Sequence, residues 1–154
     1  ELQSMAREAL FDIRLLIFEL HPPILEGEGL AAALRIRLSA VENRAGLQTE
    51  IHVDGSRRLP LSVEEELYRI ALEALNNVVK HAKAQHVTVH LRFDEGHVRL
   101  EIVDDGIGYD LATARESGGV GLRGMEERAH RINGKLEIVS VPGQGTTLKM
   151  EAPI

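Results

Sequence analysis

Cysteine and tryptophan are both missing from the 154 residues, and aromatic side chains make up only 3%. The first absence removes disulfides, thiolate zinc sites and cysteine nucleophiles together, a usage that suits a reducing compartment. The shortage of aromatics leaves the interior to Leu, Ile, Val and Ala, and with 44% hydrophobic residues these are enough for a packed core rather than a disordered tail. No run of about 18 apolar residues is present, and no basic-then-apolar leader opens the chain. A formal net charge of −6 with no long Lys/Arg block argues against nucleic acid or an anionic membrane surface as the main partner. At this length one core is expected, with an appended element or two, but not two full-sized domains.

What is there divides into two parts. Leu2, Ala6, Ala9, Ile13, Leu16 and Leu20 are spaced alternately by four and three, the heptad seam of a helix that packs on other helices. That helix is expected to stop at "HPP", where Pro22 and Pro23 cannot continue it and His21 is pushed toward extended backbone. Because the chain opens inside a helical pattern, it reads as a piece of a longer protein, with residues 1–25 a helical stem segment and 26–154 the main domain. A loop, "ILEGEG", then leads to an amphipathic helix with Leu30, Ala33, Leu34, Leu38 and Val41 on one side and Gly46 as its stop.

Period-two alternation follows. Leu47, Thr49, Ile51 and Val53 form one strand pattern; Val87, Val89, Leu91 and Phe93 a second; Val98, Leu100 and Ile102 a third, with "DEGH" as the hairpin turn between the last two. A helix between the first and second strands is expected to start at Ser62 as N-cap and to carry Leu67, Ile70, Ala71, Ala74 and Val78 on its apolar face. "KLEIVSV" and "TTLKMEA", joined through "PGQG", make a last hairpin. The expected class is α+β: a two-layer α/β sandwich with a mixed, largely antiparallel sheet covered by helices on one face and preceded by the helical stem.

Three stretches carry chemistry. Opposite the apolar stripe of the helix after Ser62, Glu66, Glu73, Asn77 and Lys80 fall within roughly a third of the circumference. A solvated face is the plain explanation; the mixture of amide, carboxylate and ammonium is also what holds a hydrated divalent cation while neutralising phosphate. Asp104, Gly106 and Gly108 give D-x-G-x-G at a strand end, either a simple turn or a carboxylate aimed at an exocyclic amine beside backbone stripped of Cβ atoms. Gly119, Gly121 and Gly124 open a helix whose unpaired amides favour an anion. Five other histidines, His52, His86, His90, His97 and His130, show no zinc-ligand spacing, and no G-x-S-x-G elbow supports a serine hydrolase.

In this order, "EALNNVVKHA", "VDDGIGYD", "GGVGLRGMEER" and "GQGTTLKMEAPI" resemble the N, G1, G2 and terminal G-T boxes of sensor histidine kinases, in the GHKL superfamily with its Bergerat ATP-binding fold. "LHPPIL" and "GLRGMEERA" are similar to the nitrate/nitrite-sensor and desaturase-sensor subgroup, and the resemblance covers essentially the whole chain. It implies ATP and Mg²⁺ as cofactors, with Asn77 a magnesium ligand and Glu73 positioning the metal or its water. Lys80 and His81 would reach phosphate oxygens, so that Glu73, Asn77 and Lys80 carry the catalytic work. Asp104 would take the adenine amine in a pocket shaped by Gly106 and Gly108, and Thr146 would complete the adenine contact. Gly119, Gly121 and Leu122 would close on the triphosphate, with residues 109–118 as the lid.

The resemblance further implies a homodimeric parent protein, a response regulator as partner and a cytoplasmic position. The family's H-D or H-E phosphoacceptor pair is absent, and His21 beside Pro22 does not replace it. The accepting histidine is therefore expected on a stem helix outside this chain. Two alternatives remain: a serine kinase of the anti-sigma-factor type, and a module that binds ATP for regulation or dimerisation without transferring phosphate.

Overall fold

The heptad-spaced segment forms a helix, α1 (Leu2–Leu20), in a computed structural model that describes residues 1–20, 22–119 and 121–154, with side chains described outside 14–20. The seam of α1 has no cover in this chain as far as it is described: Leu2, Ala6, Ala9 and Ile13 are exposed, as are Met5, Leu10 and Phe11. The side chains of Leu16 and Leu20, and His21 altogether, lie outside the described residues.

The expected "ILEGEG" loop is instead a short helix, α2 (Pro23–Glu28). Proline at its start costs nothing there, because the missing N–H would have been unpaired anyway. Its far end is held by Arg58, whose guanidinium donates to the carbonyls of Glu26 at 2.8 Å, Gly27 at 3.2 Å and Leu25 at 3.3 Å. Arg58 is in turn bound to Glu64, a carboxylate only 1% exposed. Leu25 belongs to the same buried cluster as the rest of the chain, so the expected boundary after residue 25 falls inside a helix packed on the core.

Helix α3 (Leu30–Ala45) buries Leu30, Ala33, Leu34, Leu38 and Val41 and ends at Gly46 with φ of 67°, both as the pattern predicts. Strand β1 (Gln48–Asp54) then leads to α4 (Leu61–Asn77). The N-cap of α4 is Pro60, not Ser62, and no side chain caps it; Ser62 lies within the first turn. Extended backbone at Pro60 starts the helix, and the buried Glu64 carboxylate takes the Leu59 N–H just ahead of it at 3.1 Å. The apolar face is as expected, with Leu67, Ile70, Ala71, Ala74 and Val78 buried; Tyr68, Leu72 and Leu75 are buried as well. Apart from the exposed Lys80, the polar stripe is not a solvated face. Glu66 is clamped by Arg128 at 3.1 Å and Arg131 at 3.5 Å from a later helix, and Glu73 and Asn77 are half-buried.

The sheet has five strands in the order β1-β2-β3-β5-β4, with β2 (His86–Phe93), β3 (His97–Asp104), β4 (Lys135–Ser140) and β5 (Thr146–Pro153). Only β1 and β2 pair in parallel, with α4 as the crossover between them, while the other neighbours are antiparallel hairpins or ladders. Val87, Val89, Leu91, Val98, Leu100, Ile102, Leu148, Met150 and Ala152 make the buried face. His52, His90, Arg99 and Lys149 lie on the open one. Period-two burial of this kind fixes register, because a slip of one residue would turn every apolar side chain to water. Helices α5 (Leu111–Ser117) and α6 (Leu122–Arg131) fill the connection from β3 to β4.

Candidate functional site

Two adjacent carboxylates at the end of β3 point to different tasks. Asp104 is 7% exposed and faces the helical layer. Its Oδ1 accepts the Gly106 N–H at 2.9 Å, and the Thr146 backbone also hydrogen-bonds it. Burial raises its pKa above the usual carboxylate range, and those two amides pull partly the other way. Asp105 faces out and acts as a staple between strands: it accepts N–H groups of Gln85 at 2.8 Å and His86 at 2.9 Å, and its second oxygen lies 2.8 Å from His86 Nδ1. These bonds lower its pKa to about 2.

Next to Asp104, the chain is pressed against the end of α4. There α4 widens into a single π-helical turn, Val78–Ala82, and the Ala82 carbonyl accepts the Ile107 N–H at 2.7 Å. A Cβ on Gly106 would collide with that carbonyl, so no other residue allows the loop to approach so closely. Such π turns commonly mark functional positions, since they rotate the following side chains out of helical register.

Between these elements lies a cavity of about 310 Å³. Ala74, Val78, Ile102, Met125, Ile138 and Leu148 supply its apolar walls. Asn77, His81, Asp104, Tyr109 and Thr146 supply the polar groups. Its rim is tied by Ser140, whose Oγ accepts the Tyr109 N–H at 2.9 Å and lies 2.7 Å from Thr146 Oγ1. Burial and the nearby Asp104 charge push the Tyr109 phenol upward in pKa.

Of the residues expected at a site, Asn77, His81, Asp104, Gly108 and Thr146 therefore meet in one cavity, with Gly106 directly behind it. The others stand elsewhere. Lys80 is exposed and does not line the cavity. Leu122 is a core side chain, 4% exposed, which leaves its place at the start of α6 as its contribution. Gly119 donates its N–H to Ala114 at 3.1 Å, closing α5, so that amide is already spoken for. Gly121 caps α6 with φ of 66°, and a side chain there would strike the Glu73 carboxylate. Glu73 and Gly121 thus stand together at the end where α6 begins.

Residues 109–118 fold largely into α5, capped by Asp110 through the Thr113 N–H at 3.2 Å and laid on α6 by the ion pair Arg115–Glu126. Among the described residues no group of three or more His, Asp or Glu side chains could hold a metal by itself. Asn77 and Glu73, one helical turn apart and half-buried, offer an amide and a carboxylate, donor types that suit a hydrated divalent cation. His52 and His90 stack with ring centroids 5.0 Å apart on the open face of the sheet, away from the cavity-lining residues.

Sequence reasoning missed Ser140, Met125 and Ile138, and placed Tyr109 only at the start of the lid and not in the cavity. Tyr109 directly follows Gly108 and could have been found from that position. Ser140 carried no local signal, because its partners lie 6 and 31 residues away.

Residues 62–154 match the family described as histidine kinase-, DNA gyrase B-, and HSP90-like ATPase. The sensor histidine kinase LiaS of Bacillus subtilis is 36% identical over 99% of this chain and 42% of its own length. The oxygen sensor histidine kinase NreB of Staphylococcus carnosus is 33% identical over 99% of this chain and 44% of its own length. The chain thus spans about two fifths of these relatives, whose names agree with the resemblance drawn from the four boxes. Among solved structures, the histidine kinase domain of the Erythrobacter litoralis blue-light activated histidine kinase shares the fold, with a TM-score of 0.65 at 23% identity over 80% of this chain and 59% of that one. On sequence boxes, sheet topology and matched residues alike, the chain belongs to the histidine kinase-, DNA gyrase B-, and HSP90-like ATPase family.

Proposed function

We propose that this chain is the ATP-binding catalytic part of a sensor protein-histidine kinase. It presents the γ-phosphate of Mg-ATP to a histidine on a stem helix outside the chain, for relay to a response regulator. The observation that carries the reading is a buried carboxylate, Asp104, at an apolar cavity of about 310 Å³ that also receives Thr146 and Asn77. That volume lies at the small end of ligand pockets, roughly 300 to 1,000 Å³, and suits a flat base whose phosphate tail leaves toward α6.

In this reading Asp104 accepts from the exocyclic amine, and the Gly106–Gly108 backbone lets the ring lie close. Asn77, with Glu73 beside it, would hold a hydrated Mg²⁺, which would supply charge neutralisation for the phosphates. His81 at the rim and the exposed Lys80 reach phosphate oxygens, and amides at the start of α6 add partial positive charge. Phosphoryl transfer needs little more from the protein than such positioning and neutralisation. The uncovered apolar seam of α1 fits one helix of a dimeric stem. A cytoplasmic position goes with ATP as substrate; among the described residues no helix is long and apolar enough to cross a membrane.

The test supplies labelled ATP and, separately, a stem helix bearing its histidine. Acid-labile label on the stem is the expected result. Acid-stable label would point to a serine kinase, and binding without any transfer to a regulatory module.

A further inference from the structure

We propose that Ser140 is a positioning residue that fixes the Thr146 hydroxyl as a hydrogen-bond donor into the cavity, and thereby sets which edge of a purine is accepted. The inference rests on the adenine reading above and deepens it.

Ser140 ends β4 and pairs in register with Thr146 at the start of β5, while Thr146 pairs on its other side with Asp104. The three side chains thus form one row across three strands. A serine hydroxyl has one proton and two lone pairs. One lone pair of Ser140 is taken by the Tyr109 N–H at 2.9 Å. Its proton then has two possible destinations: Thr146 Oγ1 at 2.7 Å or the Gly145 carbonyl at 3.4 Å. The first is an ideal hydroxyl–hydroxyl separation, whereas the second is long and weak. The 2.7 Å contact accommodates a donor from either side; in the proposed arrangement it is Ser140 that donates, which leaves the proton of Thr146 for the cavity.

The consequence is a side-by-side pair of fixed polarity. Asp104 already receives backbone amides of Gly106 and Thr146 and can only accept while ionised. Thr146, held by Ser140, donates. An amine next to an unprotonated ring nitrogen meets both demands at once. Without Ser140 the Thr146 hydroxyl regains its other rotamers and water as a competing partner, so its preference for that ring nitrogen is diluted.

The experiment titrates the chain calorimetrically with ADP, 1-deaza-ADP and 7-deaza-ADP, each analogue replacing one ring nitrogen near the amine by C–H. The wild-type chain is expected to bind one of the two analogues roughly 5- to 10-fold more weakly than ADP, the worth of one neutral hydrogen bond. In Ser140→Ala that gap shrinks to about twofold, Ser140→Thr restores it, and Ser140→Ala adds nothing further in a Thr146→Val background. A Ser140→Ala variant that weakens all three ligands by one common factor would reduce Ser140 to a structural role and overturn the proposal. Equal wild-type affinity for all three ligands would overturn it too. Absence of any ADP binding to the wild-type chain would instead sink the adenine reading beneath it.

Discussion

The two ends of the cavity are built differently. At the strand end, a chain of hydrogen bonds fixes the polar groups: Asp104 by Gly106 and Thr146, Thr146 by Ser140, Ser140 by the Tyr109 backbone, and the loop itself by Ala82. At the α6 end, Lys80 is exposed, and α5 rests on α6 and the core through the exposed ion pair Arg115–Glu126 and a small apolar contact, Ala114 with the half-buried Leu111. Exposed ion pairs contribute little, roughly 0 to 1 kcal/mol, and the apolar contact is small, so that segment is held less firmly than the strand end. On the proposed reading the contrast separates recognition from transfer: a preorganised end would select the base, and a less firmly held end would rearrange around the phosphates.

The largest expected effect tests the rigid end. Asp104→Ala should weaken ATP binding about 10-fold or more, since a hydrogen bond to a charged group is worth roughly 1.5 to 3 kcal/mol, and calorimetry reads it directly. Stability should move the other way. Burial raises the Asp104 pKa in the folded chain, so the ionised form opposes folding above that pKa and the opposition fades as pH falls through it. Asp104→Asn is therefore expected to melt no lower than wild type at neutral pH while losing ATP; a marked drop in melting temperature would mean that the carboxylate is structural.

At the other end, Asn77→Ala should make ATP affinity insensitive to Mg²⁺ while adenosine binding stays unchanged. A wild-type magnesium response in that variant would end the assignment of Asn77 as a ligand.

The smallest effect separates the adjacent carboxylates. Asp105→Ala should cost roughly 1 kcal/mol of stability at neutral pH, a modest figure because the side chain is 47% exposed and solvent screens it. ATP affinity should stay within about twofold of wild type. The Asp105 pKa is lowered to about 2, so its contribution is fully present above the ordinary value of 3.8 and is lost as pH falls toward 2. Acid unfolding curves of the variant and wild type should accordingly converge at the acid end, and a constant separation would contradict the staple.

The same contrast explains what could be read from residue order. Strands and the apolar face of α4 were legible because burial on one side imposes a period of two or 3.6 on the residues themselves. Asp104 stood out through its spacing with glycine, Asn77 through its place on a helical stripe and Thr146 through the resemblance of the terminal box, and each of the three lines the cavity. What escaped depends on partners distant in sequence. Helix α2 exists because Arg58 holds its carbonyls from about 30 residues away, and α4 starts at Pro60 because Glu64 turns back to Leu59. The π-helical turn, the Asp105 staple and Ser140 likewise take their meaning from other strands or loops. Glu66 looked like part of a solvated or cation-holding stripe and is instead a clamp for two arginines of α6.

Selection of the base at the strand end is tested most directly by titrating the wild-type chain with ADP and with IDP, in which an oxygen replaces the amine that Asp104 would accept. ADP is expected to bind at least about 10-fold more tightly, because a carbonyl in place of the amine offers the buried carboxylate no proton and sets two acceptors against each other. Equal affinities would contradict recognition of the amine by Asp104.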